Sequence, residues 1–195
     1  IRILFGGTDM KIGVVGCTGR MGQNLVKEIF KTKGCEFSGG TEGPKNPALG
    51  QDLGKYIGLP EYGNVITEDT KGLFAGSDVV IDFTLPTLTA KHLKFAQKYN
   101  TNVILGTTGH DENQLLVIKE AANNIAIVKA MNFSIGVNAL FALTEQLSNL
   151  LDDNFDVEIS EMHHRHKVDA PSGTAIALGE SVAKGRSIEL NDVWV

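Results

Sequence analysis

Proton-carrying side chains are concentrated in one short stretch of the chain, between positions 161 and 169. Three of the five histidines lie there, and the stretch contains Glu161, His163, His164, His166, Lys167 and Asp169. Histidine has an unperturbed pKa of about 6.5, so it can give or take a proton near neutral pH. Lysine supplies a cation or a further proton. This composition indicates acid–base chemistry on a bound molecule.

The residues that follow predict the start of a helix. Pro-Ser-Gly-Thr at 171–174 precedes an apolar run with helical spacing from Ala175 to Ala183. The first N–H groups of a helix have no partner within it and carry a partial positive charge. They are therefore suited to bind an anion. Together, the two features favour a site that holds a carboxylate and protonates an atom beside it.

Two other interpretations of the histidine cluster are weaker. A metal site is disfavoured because the spacing is not the i, i+4 pair of a helical zinc motif and no cysteine lies nearby. A solvated polar loop accounts for the charges, but it explains less well why they lead into a helix start. We therefore predict no metal.

A glycine-rich turn near the N-terminus indicates dinucleotide binding. The sequence GCTGRMG at 16–22 follows an apolar run, Lys11–Val15, which predicts a strand, and helical spacing follows at Leu25–Phe30. Glycines let the backbone turn tightly and approach a pyrophosphate, which binds at the helix N-terminus. The spacing alone is weak and also suits a plain tight turn, but the strand before it and the helix after it favour the nucleotide. Arg20 is a candidate phosphate partner.

An acidic residue follows the second predicted strand, at Cys35–Thr41. Glu42 lies about 20 residues past the glycines, where a dinucleotide fold uses an acid to bind the ribose hydroxyls. A solvated glutamate at a strand end is the alternative. The next segment, 43–64, is rich in Gly, Pro and Asn and predicts a flexible loop.

The pattern then alternates between strands and helices. Strands are predicted at Ser77–Phe83, Val103–Leu105 and Ile125–Val128, and helices at Leu88–Tyr99 and from Asp111. This order predicts a parallel doubly wound sheet of the α/β class. Ligands of such sheets bind beyond the carboxyl ends of the strands. The ends expected to converge on one crevice are Gly16–Met21, Glu42, Phe83–Thr84, Gly106–Thr108 and Ala130–Phe133.

A different pattern begins after Asn132. Ser134 can cap a helix, and Phe155–Ser160 alternates between apolar and polar residues, which predicts a strand. If that alternation persists, Glu161 and His163 fall on the same face as the apolar residues. His163 would then be held against the body of the protein.

Size and composition are those of a globular protein. The chain has 195 residues, enough for one large or two small domains, and its net charge of −5 argues against general nucleic-acid binding. Two cysteines, Cys17 and Cys35, make no disulfide framework and fit a reduced, cytoplasmic setting. No apolar stretch is long enough to span a membrane. The start, 1–9, lacks the pattern of a signal peptide. Met10 resembles a natural beginning, and 1–9 fit either an upstream extension or a cloning remnant.

The segment EMHHRHKVDAPSGTA at 161–175 closely resembles the substrate-site signature of the dihydrodipicolinate reductases, also called 4-hydroxy-tetrahydrodipicolinate reductases. These enzymes belong to the diaminopimelate–lysine pathway of bacteria and plants. Gly-Thr-Thr at 106–108 and Ala-Met-Asn-Phe at 130–133 also match segments of that family. The resemblance covers nearly the whole chain.

The resemblance implies the reaction and the residues that carry it. The substrate would be the dicarboxylate 4-hydroxy-tetrahydrodipicolinate, reduced to tetrahydrodipicolinate with NADH or NADPH. His163 and Lys167 would be the catalytic proton-transfer pair, and His164, Gly173 and Thr174 would bind the substrate. The cofactor would be bound by Gly16, Cys17, Thr18, Gly19, Arg20, Met21, Glu42, Phe83, Gly106, Thr107, Thr108, Ala130, Met131, Asn132 and Phe133. For Phe83, a place in the core is an equally good interpretation.

The same resemblance implies the domain plan. We expect a Rossmann dinucleotide-binding domain at 10–133 and an α+β substrate-binding and catalytic domain at 134–195. Family chains continue for several tens of residues after this point, so the second domain is expected to be truncated at its C-terminal side. The complete protein is expected to be a homotetramer.

The cofactor preference follows from one position. The charge of Glu42 repels a 2′-phosphate, and the family often places an arginine directly after this acid to bind that phosphate. Here the residue is Gly43, although Lys45 is close. We therefore expect NADH to serve at least as well as NADPH. Two rival functions remain: another two-domain amino-acid-pathway dehydrogenase, and a dinucleotide-binding module without turnover.

Overall fold

A parallel five-stranded sheet forms the centre of the N-terminal part of the chain, which confirms the predicted α/β class. The strands are Met10–Val15 (β1), Cys35–Thr41 (β2), Val79–Asp82 (β3), Asn102–Leu105 (β4) and Ile127–Lys129 (β5). They pair in the order β2-β1-β3-β4-β5, and every pair is parallel.

The structure is a computed structural model that describes residues 9–151, 154–163, 165 and 170–193. The chain divides into two compact units, the first ending at Lys129 and the second beginning at Ala130. The helices are Arg20–Lys31 (α1), Leu53–Tyr56 (α2), Thr70–Ala75 (α3), Pro86–Tyr99 (α4), Glu112–Ala121 (α5), Ile135–Leu150 (α6) and Gly173–Gly185 (α7), with a 3-10 helix at Leu190–Asp192. No helix in the described ranges is both long and apolar enough to cross a membrane.

Both faces of the sheet are covered, which explains the continuous apolar character of its central strands. Successive residues of a strand point to opposite faces. Val14 and Ile81 therefore join the buried cluster on one face, with Val26 of α1. Val15 and Val80 join the cluster on the other face. Because neighbouring strands are parallel, the carboxyl ends of β1, β3 and β4 lie side by side at the same end of the sheet.

The loop predicted at 43–64 contains more structure than the sequence suggested. Asp52 caps α2 by accepting a hydrogen bond from the Lys55 N–H, and its carboxylate also binds the N–H groups of Tyr62 and Gly63. Leu53 is fully buried against the sheet. The Gly, Pro and Asn content predicted a flexible loop, but hydrogen bonds to the Asp52 carboxylate order the segment from α2 to Gly63.

The second unit contains two helices that pack on each other. Each begins at a serine cap: Ser134 accepts from the Val137 N–H, and Ser172 accepts from the Ala175 N–H. Near the end of α7, a Cβ at Gly185 would lie 2.3 Å from the Glu145 carbonyl oxygen of α6. Glycine is therefore required for the two backbones to approach this closely.

The strand predicted from Phe155 to Ser160 is not formed. Within the described ranges, the second unit has no assigned strand with which this segment could pair. Phe155, Val157 and Ile159 remain 51%, 45% and 42% exposed. An alternating pattern fixes which side chains share a face, but a strand also requires a hydrogen-bonding neighbour.

Candidate active site

The glycine turn joins β1 to α1 through a conformation that other residues would not adopt. Gly16 has φ +69°, in the left-handed region that favours glycine. The Gly19 N–H donates to the Gly16 carbonyl over 3.1 Å. A Cβ at Gly22 would lie 2.1 Å from that same carbonyl oxygen. The turn can therefore close only with glycine at positions 16 and 22.

The start of α1 is open to an anionic ligand. Gly19 is the N-cap and makes no side-chain capping hydrogen bond. The helix begins at Arg20, and Arg20 and Met21 are both exposed. The cap residue of α1 therefore offers no side-chain acceptor to the first N–H groups of the helix, which fits the binding of a pyrophosphate.

Cys17 faces away from this opening. Its side chain is fully buried beside Gly40, where an added Cβ would lie 2.7 Å from the Cys17 Sγ. Burial, and then the charge of Glu42, raises the pKa of the Cys17 thiol to about 12. The thiol therefore stays protonated, and only the backbone of Cys17 is available to a ligand of the turn.

Glu42 lies beside the glycine turn because β1 and β2 end together. Thr41 pairs with Val15, and its carbonyl accepts from the Gly16 N–H at 2.8 Å. Glu42 Oε1 then accepts from the Thr18 N–H at 2.8 Å and from the Thr18 Oγ1 at 2.7 Å. The carboxylate is thereby oriented at the edge of the turn, where a ribose diol bound with its pyrophosphate on α1 would require an acceptor.

The ends of β3 and β4 bring Phe83, Thr107 and Gly106 together. A Cβ at Gly106 would lie 2.2 Å from the Phe83 ring, so glycine lets the ring lie on the β4 backbone. Thr107 is buried, and its Oγ1 accepts from the Thr84 N–H at 3.0 Å. Thr108 is exposed. Phe83 is half-buried and packs against the core cluster on that face, so it contributes to packing as well as to the site.

A buried aspartate–histidine hydrogen bond supports these strand ends, and the sequence patterns did not predict it. Asp82 is 1% exposed and His92 of α4 is 5% exposed, and Asp82 Oδ2 lies 2.7 Å from His92 Nδ1. Asp82 Oδ1 accepts from the N–H and Oγ1 of Thr84 at 2.9 and 2.6 Å. The turn after β3 is thus fixed by the last residue of the strand. An aspartate inside the apolar run VVIDF was the available signal, since a buried carboxylate needs partners.

The environment of Asp82 favours its ionised form. Burial raises the pKa of Asp82, but hydrogen bonds from His92 and Thr84 outweigh burial and hold the pKa below its ordinary value. An ionised carboxylate can only accept, so His92 Nδ1 carries the hydrogen.

In the second unit, Glu161 joins His163 to the start of α7. Glu161 Oε2 lies 2.8 Å from His163 Nε2, and Oε1 accepts from the Ser172 N–H at 2.8 Å. The Ser172 hydroxyl also donates to Glu161. The Ser172 hydroxyl, the His163 ring and the Ser172 N–H, in that order, lower the pKa of Glu161 to about 2. Glu161 is therefore ionised at neutral pH.

The predicted substrate contacts Gly173 and Thr174 are the first two residues of α7. Thr174 Oγ1 lies 3.5 Å from Asn132 Nδ2, and a Cβ at Gly173 would lie 3.3 Å from Met131 Cε. Asn132 Oδ1 also accepts from the Ser134 N–H at 2.8 Å. Part of the segment 130–133 thus lies against the start of α7. Ala130 is half-buried and Phe133 is 42% exposed.

Two predicted functional residues, Lys167 and His164, lie outside the described residues, as do His166 and Asp169. Their roles remain predictions. Of the proton-carrying cluster, the structure therefore places Glu161 and His163 in contact with each other.

A doubly wound parallel sheet with a glycine turn and a strand-end acid is typical of dinucleotide-binding proteins of the Rossmann class. The unit that follows carries an acid–histidine pair, which is suited to proton transfer. Two family models match the chain: Dihydrodipicolinate reductase, N-terminus, over 10–133, and Dihydrodipicolinate reductase, C-terminus, over 136–192. The chain belongs to the dihydrodipicolinate reductase family. This confirms the resemblance seen in segment 161–175.

Individual relatives agree with the family models. The chain is 46% identical to the 4-hydroxy-tetrahydrodipicolinate reductase of Parvibaculum lavamentivorans, over 95% of this chain and 69% of the relative. It is 45% identical to that of Cupriavidus necator, over 95% and 70%. Among solved structures, a dipicolinate-bound dihydrodipicolinate reductase from Paenisporosarcina sp. TG-14 matches with a TM-score of 0.72 and 27% identity, over 92% of this chain and 67% of that one.

Proposed function

We propose that this protein reduces 4-hydroxy-tetrahydrodipicolinate to tetrahydrodipicolinate in the diaminopimelate–lysine pathway, using a nicotinamide dinucleotide. The observation that carries the proposal is the contact of Glu161 with both His163 and the start of α7. It combines a proton-transfer group with an anion-binding helix start. It occurs in a chain 46% identical, over 95% of its length, to a reductase that acts on this substrate.

The chemistry of the reaction requires these two functions. Exchange of the 4-hydroxyl group for hydrogen consumes a hydride and a proton and releases water. The dinucleotide supplies the hydride. Addition of a hydride to a conjugated imine leaves negative charge on the substrate, and that charge must be protonated. His163 gives or takes this proton and Lys167 donates one. The two carboxylates of the substrate need N–H donors or cations, which the start of α7 and Lys167 supply.

The remaining roles complete the proposal. Residues 10–133 bind the dinucleotide and residues 134–195 bind the substrate. His164, Gly173 and Thr174 contact the substrate. The pyrophosphate lies on the turn at 16–21, and Glu42 accepts from the ribose. The nicotinamide side is lined by Phe83, Gly106, Thr107, Thr108, Ala130, Met131, Asn132 and Phe133.

Steady-state oxidation of NADH in the presence of the substrate tests this function. We expect substrate-dependent loss of NADH absorbance with saturation in both reactants. A binding module without turnover would bind NADH and quench its fluorescence but would oxidise none. A different amino-acid-pathway dehydrogenase would oxidise NADH only with another substrate. Either result would contradict the proposal.

NADH is expected to be used at least as well as NADPH. Glu42 is held at the turn by Thr18, where its charge would repel a 2′-phosphate. Comparison of kcat/KM for the two cofactors on one preparation measures the preference. A strong preference for NADPH would show that Lys45 or another cation overrides Glu42.

Gly43→Arg is the matched variant for this preference. A Cβ at Gly43 meets nothing within 4 Å, so an arginine fits there without disturbing the turn. It places a guanidinium next to the expected 2′-phosphate, and a charged hydrogen bond is worth about 1.5–3 kcal/mol. The ratio of kcat/KM for NADPH over NADH should therefore rise by about tenfold or more. An unchanged ratio would place the adenosine ribose elsewhere.

We propose that the full-length protein is a cytoplasmic homotetramer. The α6 helix carries an apolar stripe that is exposed in its unit: Ile135 is 88% exposed, Leu143 61% and Leu147 57%. An apolar face of this kind is typical of a surface that further protein covers, either the rest of the full-length chain or a second copy. Both cysteines are free, which fits a reducing compartment. Sedimentation velocity on the full-length protein should give one species of four chains, and a monomer at micromolar concentration would exclude this assembly.

A further inference from the structure

The Glu161 carboxylate is hydrogen-bonded both to His163 and to the residue that caps α7. Its carboxylate receives three hydrogen bonds, from the Ser172 N–H, the Ser172 hydroxyl and the His163 ring. Ser172 is 4% exposed and is the N-cap of α7. One carboxylate therefore connects the proton-transfer histidine to the end of the helix that carries Gly173 and Thr174.

The directions of these hydrogen bonds are fixed by the chemistry of the groups. The Ser172 Oγ accepts from the Ala175 N–H at 3.1 Å, so its own hydrogen is free to point to Glu161. A backbone N–H can only donate. An ionised carboxylate can only accept, so the His163 nitrogen that faces Glu161 must carry a hydrogen. That nitrogen is Nε2. When the ring is neutral, Nδ1 is then the nitrogen without a hydrogen.

We propose that Glu161 is a positioning residue, which holds neutral His163 in the Nε2–H tautomer and so makes Nδ1 the atom that exchanges protons with the substrate. The proposal rests on the proposed function for the identity of the substrate. It adds the residue that orients the histidine and the atom through which the histidine acts. Glu161 itself neither touches the substrate nor transfers a proton.

Glu161→Gln makes the sharpest test because it should reverse the tautomer. The Ser172 N–H requires an oxygen at the Oε1 position, so the new amide nitrogen must take the Oε2 position, facing His163. An amide NH₂ donates, so Nε2 of His163 would have to accept and its hydrogen would move to Nδ1. The side chain keeps its size and the hydrogen bond from the Ser172 N–H. The Ser172 hydroxyl also faces the Oε2 position, so it would have to accept from the amide instead of donating.

The readout is the ¹⁵N chemical shifts of the His163 ring in alkaline buffer, where neutral tautomers are distinguished, with the signals assigned by their loss in His163→Gln. We expect Nε2–H in the wild type and a shift toward Nδ1–H in Glu161→Gln. The kcat of Glu161→Gln should fall by about 10²–10⁴-fold, because a wrongly oriented histidine proton costs this much in acid–base catalysis. KM for the substrate should not rise, because the change removes a negative charge beside the helix start that binds the substrate carboxylates. The Kd for NADH should change less than about threefold, since the glycine turn and Glu42 belong to the first unit.

Two serine caps provide matched controls. Ser172→Ala removes one donor to Glu161 and the cap of α7 but leaves the contact of Glu161 with His163, so it should lower the Tm and keep the Nε2–H tautomer. Ser134→Ala removes the equivalent cap of α6 and should do the same. If Glu161 only held the loop, Ser172→Ala and Glu161→Gln would have similar effects on kcat.

An Nδ1–H tautomer in the wild type would overturn the proposal. So would a Glu161→Gln variant with unchanged ring shifts, or one with a kcat within about twofold of the wild-type value. Should Glu161→Gln not fold, the wild-type shifts and the Ser172→Ala variant still decide the assignment. Failure of the wild type to reduce the substrate would instead contradict the proposed function, and the ring shifts would remain a separate test of the tautomer.

Discussion

Replacement of His163 by glutamine is expected to lower kcat by about 10²–10⁴-fold, the usual loss when acid–base assistance is removed. Glutamine keeps a similar size and polarity but cannot give or take a proton at neutral pH. The Kd for NADH should stay close to the wild-type value, because the glycine turn and Glu42 belong to the first unit. Lys167→Ala should lower kcat by a similar factor if Lys167 donates a proton in the reaction. Steady-state kinetics with NADH fluorescence titrations measure both quantities.

Two further variants separate the roles along this segment. His166→Gln is the control of the same type, because no chemical role is assigned to His166, and its kcat should stay near the wild-type value. Thr174→Val keeps the shape of the side chain but removes the hydroxyl, so KM for the substrate should rise. A normal His163→Gln variant beside an impaired His166→Gln variant would contradict the assigned roles, even though the family would be unchanged.

Replacement of His92 by leucine is expected to destabilise the protein by about 3 kcal/mol at pH 7, since the loss of a hydrogen-bond partner costs about 1–3 kcal/mol for a buried polar group and more for a buried charge. Leucine fills a similar volume, so the loss would come mainly from the Asp82 carboxylate. That carboxylate would keep its hydrogen bonds from Thr84 but lose His92, its partner at 2.7 Å. Urea unfolding at equilibrium measures the difference.

The pH dependence identifies the source of this loss. In the wild type the pKa of Asp82 lies below its ordinary value, so its contribution to stability is present above the unfolded pKa of about 3.9 and is lost as the pH falls through the lower folded value. Without His92, burial would dominate and raise the folded pKa of Asp82. The difference in the free energy of unfolding between the wild type and His92→Leu should therefore become smaller as the pH falls from 7 toward 4.

Thr101→Val is the matched control for this experiment. Thr101 is fully buried, and its hydroxyl donates to the Phe74 carbonyl at 2.6 Å. Its removal should cost about 1–3 kcal/mol, and the cost should be the same at pH 7 and pH 4 because neither group titrates. A constant gap between wild type and His92→Leu over this pH range would show that packing, rather than the charge of Asp82, accounts for the loss.

The sequence patterns predicted the sheet well because strands, helix caps and tight turns each leave a signal in a short stretch of sequence. The strand at Cys35–Thr41 was predicted with the bounds it has in the structure. The helix predicted from Asp111 is α5, and Asp111 is its N-cap, in a reciprocal pair with Gln114. The glycines at positions 16 and 22 were informative because the backbone of α1 at Gly22 lies close to the Gly16 carbonyl. Each of these features depends on residues near one another in the chain.

The features that the sequence did not predict depend on contacts between separate elements or loops, which form only when the chain folds. Asp82 and His92 lie ten positions apart in different elements, and their contact becomes visible only when α4 packs on the sheet. The alternation at 155–160 predicted a strand, but alternation does not provide a neighbour to pair with. Asp52 orders a loop through N–H groups ten and eleven residues away, and composition does not encode that contact.

Transfer of deuterium tests the central claim most directly. The protein would be incubated with 4-hydroxy-tetrahydrodipicolinate and NADH that carries deuterium at the transferred position, and the product would be analysed by mass spectrometry. We predict tetrahydrodipicolinate with one deuterium for each NADH oxidised, and product formation reduced by the same factor as kcat in His163→Gln. NADH that binds but transfers no deuterium to this substrate would contradict the proposed function.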